Sequence, residues 1–262
     1  MAFILLSATA YCGNPFGISA GAGEAGRGSV CVMRAGFWSS FRNQALLAFN
    51  KSFLVGINYE NRFGISELGT CTAGTIIPAG KSSLGIICSN FGYPEFRRNT
   101  LAASCGLSLT GRIAAGVQVD YFSERVRCDN EVMQALTFET GILYLPSEKV
   151  IAGIHLFNPL PNSFRKSFLP SVLTAGAGIE LSKSAFAGAE AEMIQGEKLT
   201  VRTGFEYEAG SKLWLRGGFS SENTSFSFGI GYIMRSLKID LSFTTHERLG
   251  VTSSVSLIYK IR

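Results

Sequence analysis

Two stretches near the start of the chain carry catalytic spacings. Gly17-Ile18-Ser19-Ala20-Gly21 matches G-x-S-x-G, the turn that exposes a nucleophilic serine. Gly21-Ala22-Gly23-Glu24-Ala25-Gly26 matches G-x-G-x-x-G, the loop whose glycines let a backbone approach a pyrophosphate. Neither has its context. A serine elbow needs a parallel α/β sheet and a histidine base, and the 2 histidines, His155 and His246, fall in expected strands or loops. A dinucleotide site needs a strand before it, a helix after it and an acidic residue closing a βαβ unit. With 30 glycines in 262 residues, such matches arise by chance. The 6 cysteines, Cys12, Cys31, Cys71, Cys88, Cys105 and Cys128, form no C-x-x-C pair and have no histidine-rich neighbourhood. They are too scattered for a disulfide scaffold. No catalytic residue, metal ligand or cofactor site is read from the chain.

What remains chemically is charge in unexpected company. Asp120, Glu139, Glu180, Glu190, Glu192, Glu206 and Asp240 lie in segments that are otherwise apolar or glycine-rich. Arg202 stands near Glu206 and Lys238 near Asp240. Upstream lie Arg27, Arg34 and Arg42. The net charge of +5 is otherwise dispersed, with Arg97-Arg98, Arg125/Arg127 and Arg165-Lys166 in expected loops, which read as solvated tips and not as a nucleic-acid surface.

The elements carrying these charges are strands. From Phe53 onward, apolar residues alternate with small or polar ones at the two-residue period of a strand with two different faces. Phe226, Phe228, Ile230, Tyr232 and Met234 alternate with Ser225, Ser227, Gly229 and Gly231; Ile113, Ala115, Val117, Val119 and Tyr121 alternate with Ala114, Gly116, Gln118 and Asp120. About fourteen such segments are expected, at 51–60, 71–78, 82–91, 98–110, 112–123, 131–145, 148–157, 171–182, 184–194, 198–208, 211–220, 224–234, 236–245 and 251–261. Their connections alternate between tight turns ("PAGKS", "TGR", "LPSEK", "LSKS", "EAGSK", "MRSLK") and generally longer loops. That asymmetry belongs to an up-and-down membrane barrel.

The faces identify the solvent. One is Leu, Ile, Val, Phe and Tyr, mostly without charge; the other holds the charges and the glycines, among them Gly56, Gly74, Gly116, Gly141, Gly153, Gly188, Gly204, Gly218, Gly229 and Gly231. A small soluble barrel would turn its apolar face inward. Here the apolar face must meet lipid, with Tyr59, Tyr121, Tyr144, Tyr207, Tyr232 and Tyr259 at strand ends as interfacial girdles. Charge is 16% of the chain and mean hydropathy is positive, yet no apolar run reaches the ~18 residues of a spanning helix. The expected fold is all-β, a transmembrane up-and-down antiparallel barrel of about fourteen strands with an N-terminal plug containing a short helix.

Glycine on the inner face leaves room for a filler. Residues 17–49 precede the first strand, and "FWSSFRNQALLAF" (37–49) is the best helix candidate. Arg27, Arg34, Arg42 and Arg202 are expected to form plug–lumen ion pairs with Asp120, Glu139, Glu190, Glu192, Glu206 and Asp240. The division expected is 1–10 as a truncated signal peptide with Ala8-Thr9-Ala10 at its cleavage site, 11–50 as plug, and 51–262 as barrel.

"GAGEAGRGSVCVMRAGFWSSFRNQALLAF" resembles the N-terminal block of the FadL/PorV-like outer-membrane barrels of Bacteroidetes-type bacteria. Gly26, Gly28, Ser29 and Val30 fit its glycine stretch; Trp38, Asn43, Ala45, Leu47 and Ala48 fit its hatch motif, with Gln44 where many members carry proline. The resemblance implies a fourteen-stranded barrel across the whole chain, in outer-membrane lipid. It implies one of two functions: a non-enzymatic accessory subunit of an outer-membrane machine of the type IX secretion or barrel-assembly type, or a channel for hydrophobic small molecules. No loop carries a long apolar capture surface, which favours the subunit, with other outer-membrane proteins as partners.

Overall fold

The computed structural model describes residues 17–19, 21–127, 131–160, 163–164 and 167–261. The signal-like start, Cys12, Cys128 and the Arg165-Lys166 pair lie outside them. Fourteen antiparallel strands close into a barrel: β1 Phe53–Asn61, β2 Gly69–Ala79, β3 Ser82–Tyr93, β4 Phe96–Ser108, β5 Ile113–Val126, β6 Glu131–Tyr144, β7 Val150–Phe157, β8 Val172–Ser182, β9 Ala185–Ile194, β10 Thr200–Ala209, β11 Leu213–Ser220, β12 Ser225–Met234, β13 Leu237–His246 and β14 Gly250–Ile261. Each strand pairs with its sequence neighbours, and β1 pairs with β14 from Phe53↔Ile261 to Asn61↔Ser253, so no edge is left open. Closure satisfies the backbone groups a bilayer cannot solvate. Every expected strand is present, with ends displaced by at most a few residues.

Strand alternation sets which side chain meets which medium. On β5, Val117, Val119 and Tyr121 are exposed, whereas Ala114, Gly116, Gln118, Asp120 and Phe122 are buried. The same phase exposes Leu136, Phe138 and Ile142 on β6 and Phe226, Phe228 and Ile230 on β12. A closed barrel with an apolar outside and charges inside is a transmembrane barrel of the outer-membrane type. Two-residue turns follow β2 and β12, and a three-residue turn follows β10; Gly80 and Gly210 supply the positive φ, +69° and +72°, that such hairpins require. Tyr144, Tyr207, Tyr232 and Tyr259 lie toward the tight-turn end, and Tyr59 and Tyr121 toward the loop end.

Residues 21–50 thread the lumen. Their one α-helix is Ala22–Gly26. The helix expected over 37–49 is instead two 3-10 turns, Ser39–Phe41 and Gln44–Phe49. The break is at Asn43, which is extended (φ −142°, ψ 106°) because its side chain is used twice. Its Oδ1 accepts from the Ala45 amide at 3.1 Å, capping the second turn, and its Nδ2 donates to the Val32 carbonyl at 2.6 Å. Phe37, Trp38, Phe41 and Leu47 then pack on Ile76, Ile87, Ala102 and Ile258; Val30, Val32, Met33, Ala45 and Leu46 pack on Ala114, Leu143 and Phe186. Most of these wall positions lie toward the tight-turn end, so that end of the lumen is filled by hydrocarbon.

Candidate functional site

The lumenal segment sits where the wall has no side chains. A Cβ on Gly116 would stand 2.6 Å from the Ala45 nitrogen, one on Gly26 2.6 Å from the Gly229 Cα, and one on Gly204 2.7 Å from the Arg27 Cγ. Glycines on strands from β1 round to β12 meet the segment in this way, including Gly56 against Phe37, Gly141 against Asn43 and Gly153 against the Val32 carbonyl. Gly28, with φ of +69°, lies against Gly218 and the backbone of β10 and β11. Trp38, buried in the lumen, covers Gly21.

Charge fixes the segment further. Arg27 reaches Glu206 at 2.9 Å, Arg34 pairs with Glu180 and with Glu206 at 3.0 Å, and Arg42 approaches Glu192 at 3.5 Å. Glu190 accepts the amides of Cys31 and Val32 at 2.9 and 3.0 Å. Arg216, on β11, joins Glu206 at 2.6 Å to Asp240 at 2.7 Å, and Lys238 reaches Asp240 at 3.5 Å. Sequence reasoning missed Arg216, although its phase with Trp214, Gly218 and Ser220 marks it as lumenal.

Three expected pairings fail. Arg202 does not meet Glu206: four residues along one strand separate them by about 13 Å. Arg202 instead bonds Glu192 at 2.7 Å, Glu222 at 3.2 Å and, more loosely, Glu190 at 3.5 Å. Asp120 and Glu139 are the other two failures. Among the described residues neither has a lysine or arginine within ion-pair distance; Asp120 accepts from the Gln118 amide at 2.7 Å. Glu139 binds His155 at 2.9 Å and the Gln44 amide at 2.7 Å, so the residue standing in place of proline ties the segment to the wall.

At the loop end a cavity of about 320 Å³ remains. Its floor is the lumenal segment at Ala25, Gly28, Ser29 and Arg42; its walls come from β1 and β9 to β14, and Phe63 and Leu68 also line it. Across the lumen, Phe122, Phe157, Val172 and Ile194 cluster under Leu169.

Two groups on the segment report on its seating. Burial, with Glu190 adjacent, pushes the Cys31 thiol up to about 12, so it has almost no thiolate at neutral pH. Burial also raises the Glu24 carboxyl above its usual 4.5, against the pull of Arg27. An acid whose pKa rises on seating favours the seated form below its free pKa and opposes it as pH climbs through and beyond 4.5. Glu24→Gln is therefore expected to seat more firmly than the parent at pH 7 and equally at pH 4. Thermal melts of the two proteins at both pH values check this; a gap that shrinks toward neutral pH would contradict it.

The architecture is thus a fourteen-stranded transmembrane barrel whose own N-terminal segment fills the lumen. No protein-family model matches the chain, and no curated protein matches it in sequence. Solved structures do match in fold. The chain is similar to the CymD monoaromatic hydrocarbon channel, with a TM-score of 0.75 at 11% identity over 94% of this chain and 99% of that one. It is similar to the Ralstonia pickettii toluene transporter TbuX (TM-score 0.72, 11% identity, 92% and 98% covered). A Pseudomonas aeruginosa FadL homologue gives a TM-score of 0.67 at 12% identity over 93% and 98%. The fold is the FadL type. These likenesses overturn the expectation of an accessory subunit in a secretion or barrel-assembly machine, because the architecture along nearly the whole chain is that of transport channels. The lack of a long apolar capture loop was a poor guide, since loops vary on a fixed barrel.

Proposed function

We propose that the chain is a passive, non-catalytic outer-membrane channel that admits small hydrophobic molecules. The observation that carries this is the loop-side cavity, whose floor is the lumenal segment itself. A compartment of about 320 Å³ accommodates one small organic molecule, and only non-covalently held residues separate it from the other side. In this reading residues 11–50 are the plug and 51–262 the wall, with Gly26, Gly28, Trp38, Asn43 and Ala45 seating the plug. Arg27, Arg34 and Arg42 latch it to the wall carboxylates. The hydrocarbon and toluene channels that share the fold support the same substrate class.

The test is uptake of radiolabelled toluene by cells with an intact lipopolysaccharide layer, since plain phospholipid vesicles leak such compounds. Cells expressing the chain are expected to show saturable uptake above the empty-vector rate. Equal rates would contradict the reading.

A further inference from the structure

Hydroxyl side chains line much of the strand wall of the loop-side cavity. On β12 to β14 the inward positions are Ser227, Ser242, Thr244, Thr252 and Ser254, with Ser220 beside them on β11. Strand register places them in two adjoining rows, Ser227–Thr244–Thr252 and Ser242–Ser254, the second continuing to Glu60. Phe226, Phe228, Phe243, Val251 and Val255, at outward positions of the same strands, are apolar and exposed to the membrane side.

Some of these hydroxyls are engaged within the protein: Ser227 with Thr244 at 3.0 Å, and Ser254, which donates to Asn58 at 2.9 Å. Ser242 is not. It is 1% exposed and lines the cavity, and its hydroxyl makes no hydrogen bond to any described residue. A hydroxyl held out of bulk water without a partner costs free energy that a ligand's hydrogen bond would recover.

The arginines and carboxylates beside the cavity are already paired with one another. Arg42 and Arg202 share Glu192 at 3.5 and 2.7 Å, Arg202 also meets Glu222 at 3.2 Å, and Arg62 meets Glu60 at 2.8 Å. Three arginines face three carboxylates. The apolar side chains that line the cavity are Ile18, Ala25, Phe63 and Leu68.

We infer that the cavity binds a neutral amphiphile, an apolar skeleton bearing hydroxyl groups, with the hydroxyls on the serine–threonine wall and the skeleton against Phe63 and Leu68. This deepens the uptake reading and rests on it only for the claim that the bound molecule then crosses. A pure hydrocarbon would leave the wall hydroxyls without partners, and a carboxylate would have to break an existing ion pair. Discrimination follows from the hydrogen bonds lost, at about tenfold for each well-placed one.

The experiment uses the purified full chain in nanodiscs and three one-ring probes: benzyl alcohol, toluene and benzoate. Equilibrium binding is read by saturation-transfer NMR, with empty nanodiscs subtracted. Benzyl alcohol is expected to bind saturably and about tenfold tighter than toluene, with benzoate not detected. The near-isosteric Ser242→Ala/Thr244→Val/Thr252→Val barrel is expected to lose that preference while keeping its heat-modifiable gel migration. Thr252→Val alone, at a half-buried site, serves if the triple variant does not fold and should reduce the preference in part. Toluene binding as tight as benzyl alcohol, benzoate binding as tight as either, or an unchanged preference in the variants would overturn the inference. Hydroxyl-selective binding without cellular uptake would leave the inference standing and defeat the uptake reading. Uptake of toluene without selective binding would do the reverse.

Discussion

Gly116→Val is expected to expel the lumenal segment while leaving the barrel closed. A Cβ there would lie 2.5 Å from the Gln44 carbonyl oxygen and 2.6 Å from the Ala45 nitrogen. Both are backbone atoms in a turn already fixed by Asn43, so neither can rotate aside. Overpacking of this kind costs about 1–3 kcal/mol, and more where the obstacle cannot yield. The wall itself should tolerate the change, because valine suits a strand and Gly116 pairs in regular register with Gly106 and Gly141. Two readouts separate the effects. Heat-modifiable migration should persist, and Cys31 should become reactive to maleimide at pH 7. Loss of the barrel band would place the effect in the wall; continued protection of Cys31 would show that the segment does not depend on this seat.

Glu206→Gln is expected to be at least as damaging. One carboxylate, 6% exposed, serves Arg27 at 2.9 Å, Arg34 at 3.0 Å and Arg216 at 2.6 Å. Replacing it with an amide leaves two almost fully buried guanidinium groups, Arg27 and Arg216, short of a counter-charge. Removing one partner of a buried pair typically costs about 3–5 kcal/mol, most of it the penalty on the charge left behind. The segment carries two of the three arginines, so it is the part that should leave. Protease cleavage within residues 21–50 of the folded barrel should rise steeply, and Arg27→Met combined with Glu206→Gln should recover part of the loss. Unchanged protease resistance of the single variant would refute the latch.

The wall of this protein was legible because each strand states its two media directly. Phe226, Phe228 and Ile230 against Ser227, Gly229 and Gly231 has one interpretation once charge is seen to follow the glycines. The glycines also announced an inner face with space on it. What sequence could not give was the meeting of particular charges. Arg202 and Glu206 share a face, yet about four strand residues of rise keep them apart, and the stagger between β9, β10 and the loop after β11 decides that Glu192 and Glu222 are the partners. The path of residues 37–49 was misjudged for a related reason. Their apolar spacing suits a helix, but Asn43 spends its side chain on Val32 and Ala45, and that tertiary bond breaks the helix into two turns. Function was the least legible, because the loops that suggested a subunit say little about a lumen built from all fourteen strands.

The most direct test couples the lumenal segment to transport. The Asn43 Cγ lies 2.9 Å from where a Cβ at Gly141 would stand, within reach of a disulfide in Asn43→Cys/Gly141→Cys. Toluene uptake by cells carrying this variant should be measured oxidised and then reduced. If the segment must move for a molecule to pass, uptake is expected to fall to the empty-vector rate when the bond is closed and to return when it is opened. Uptake that continues undiminished with the segment tethered would contradict the account.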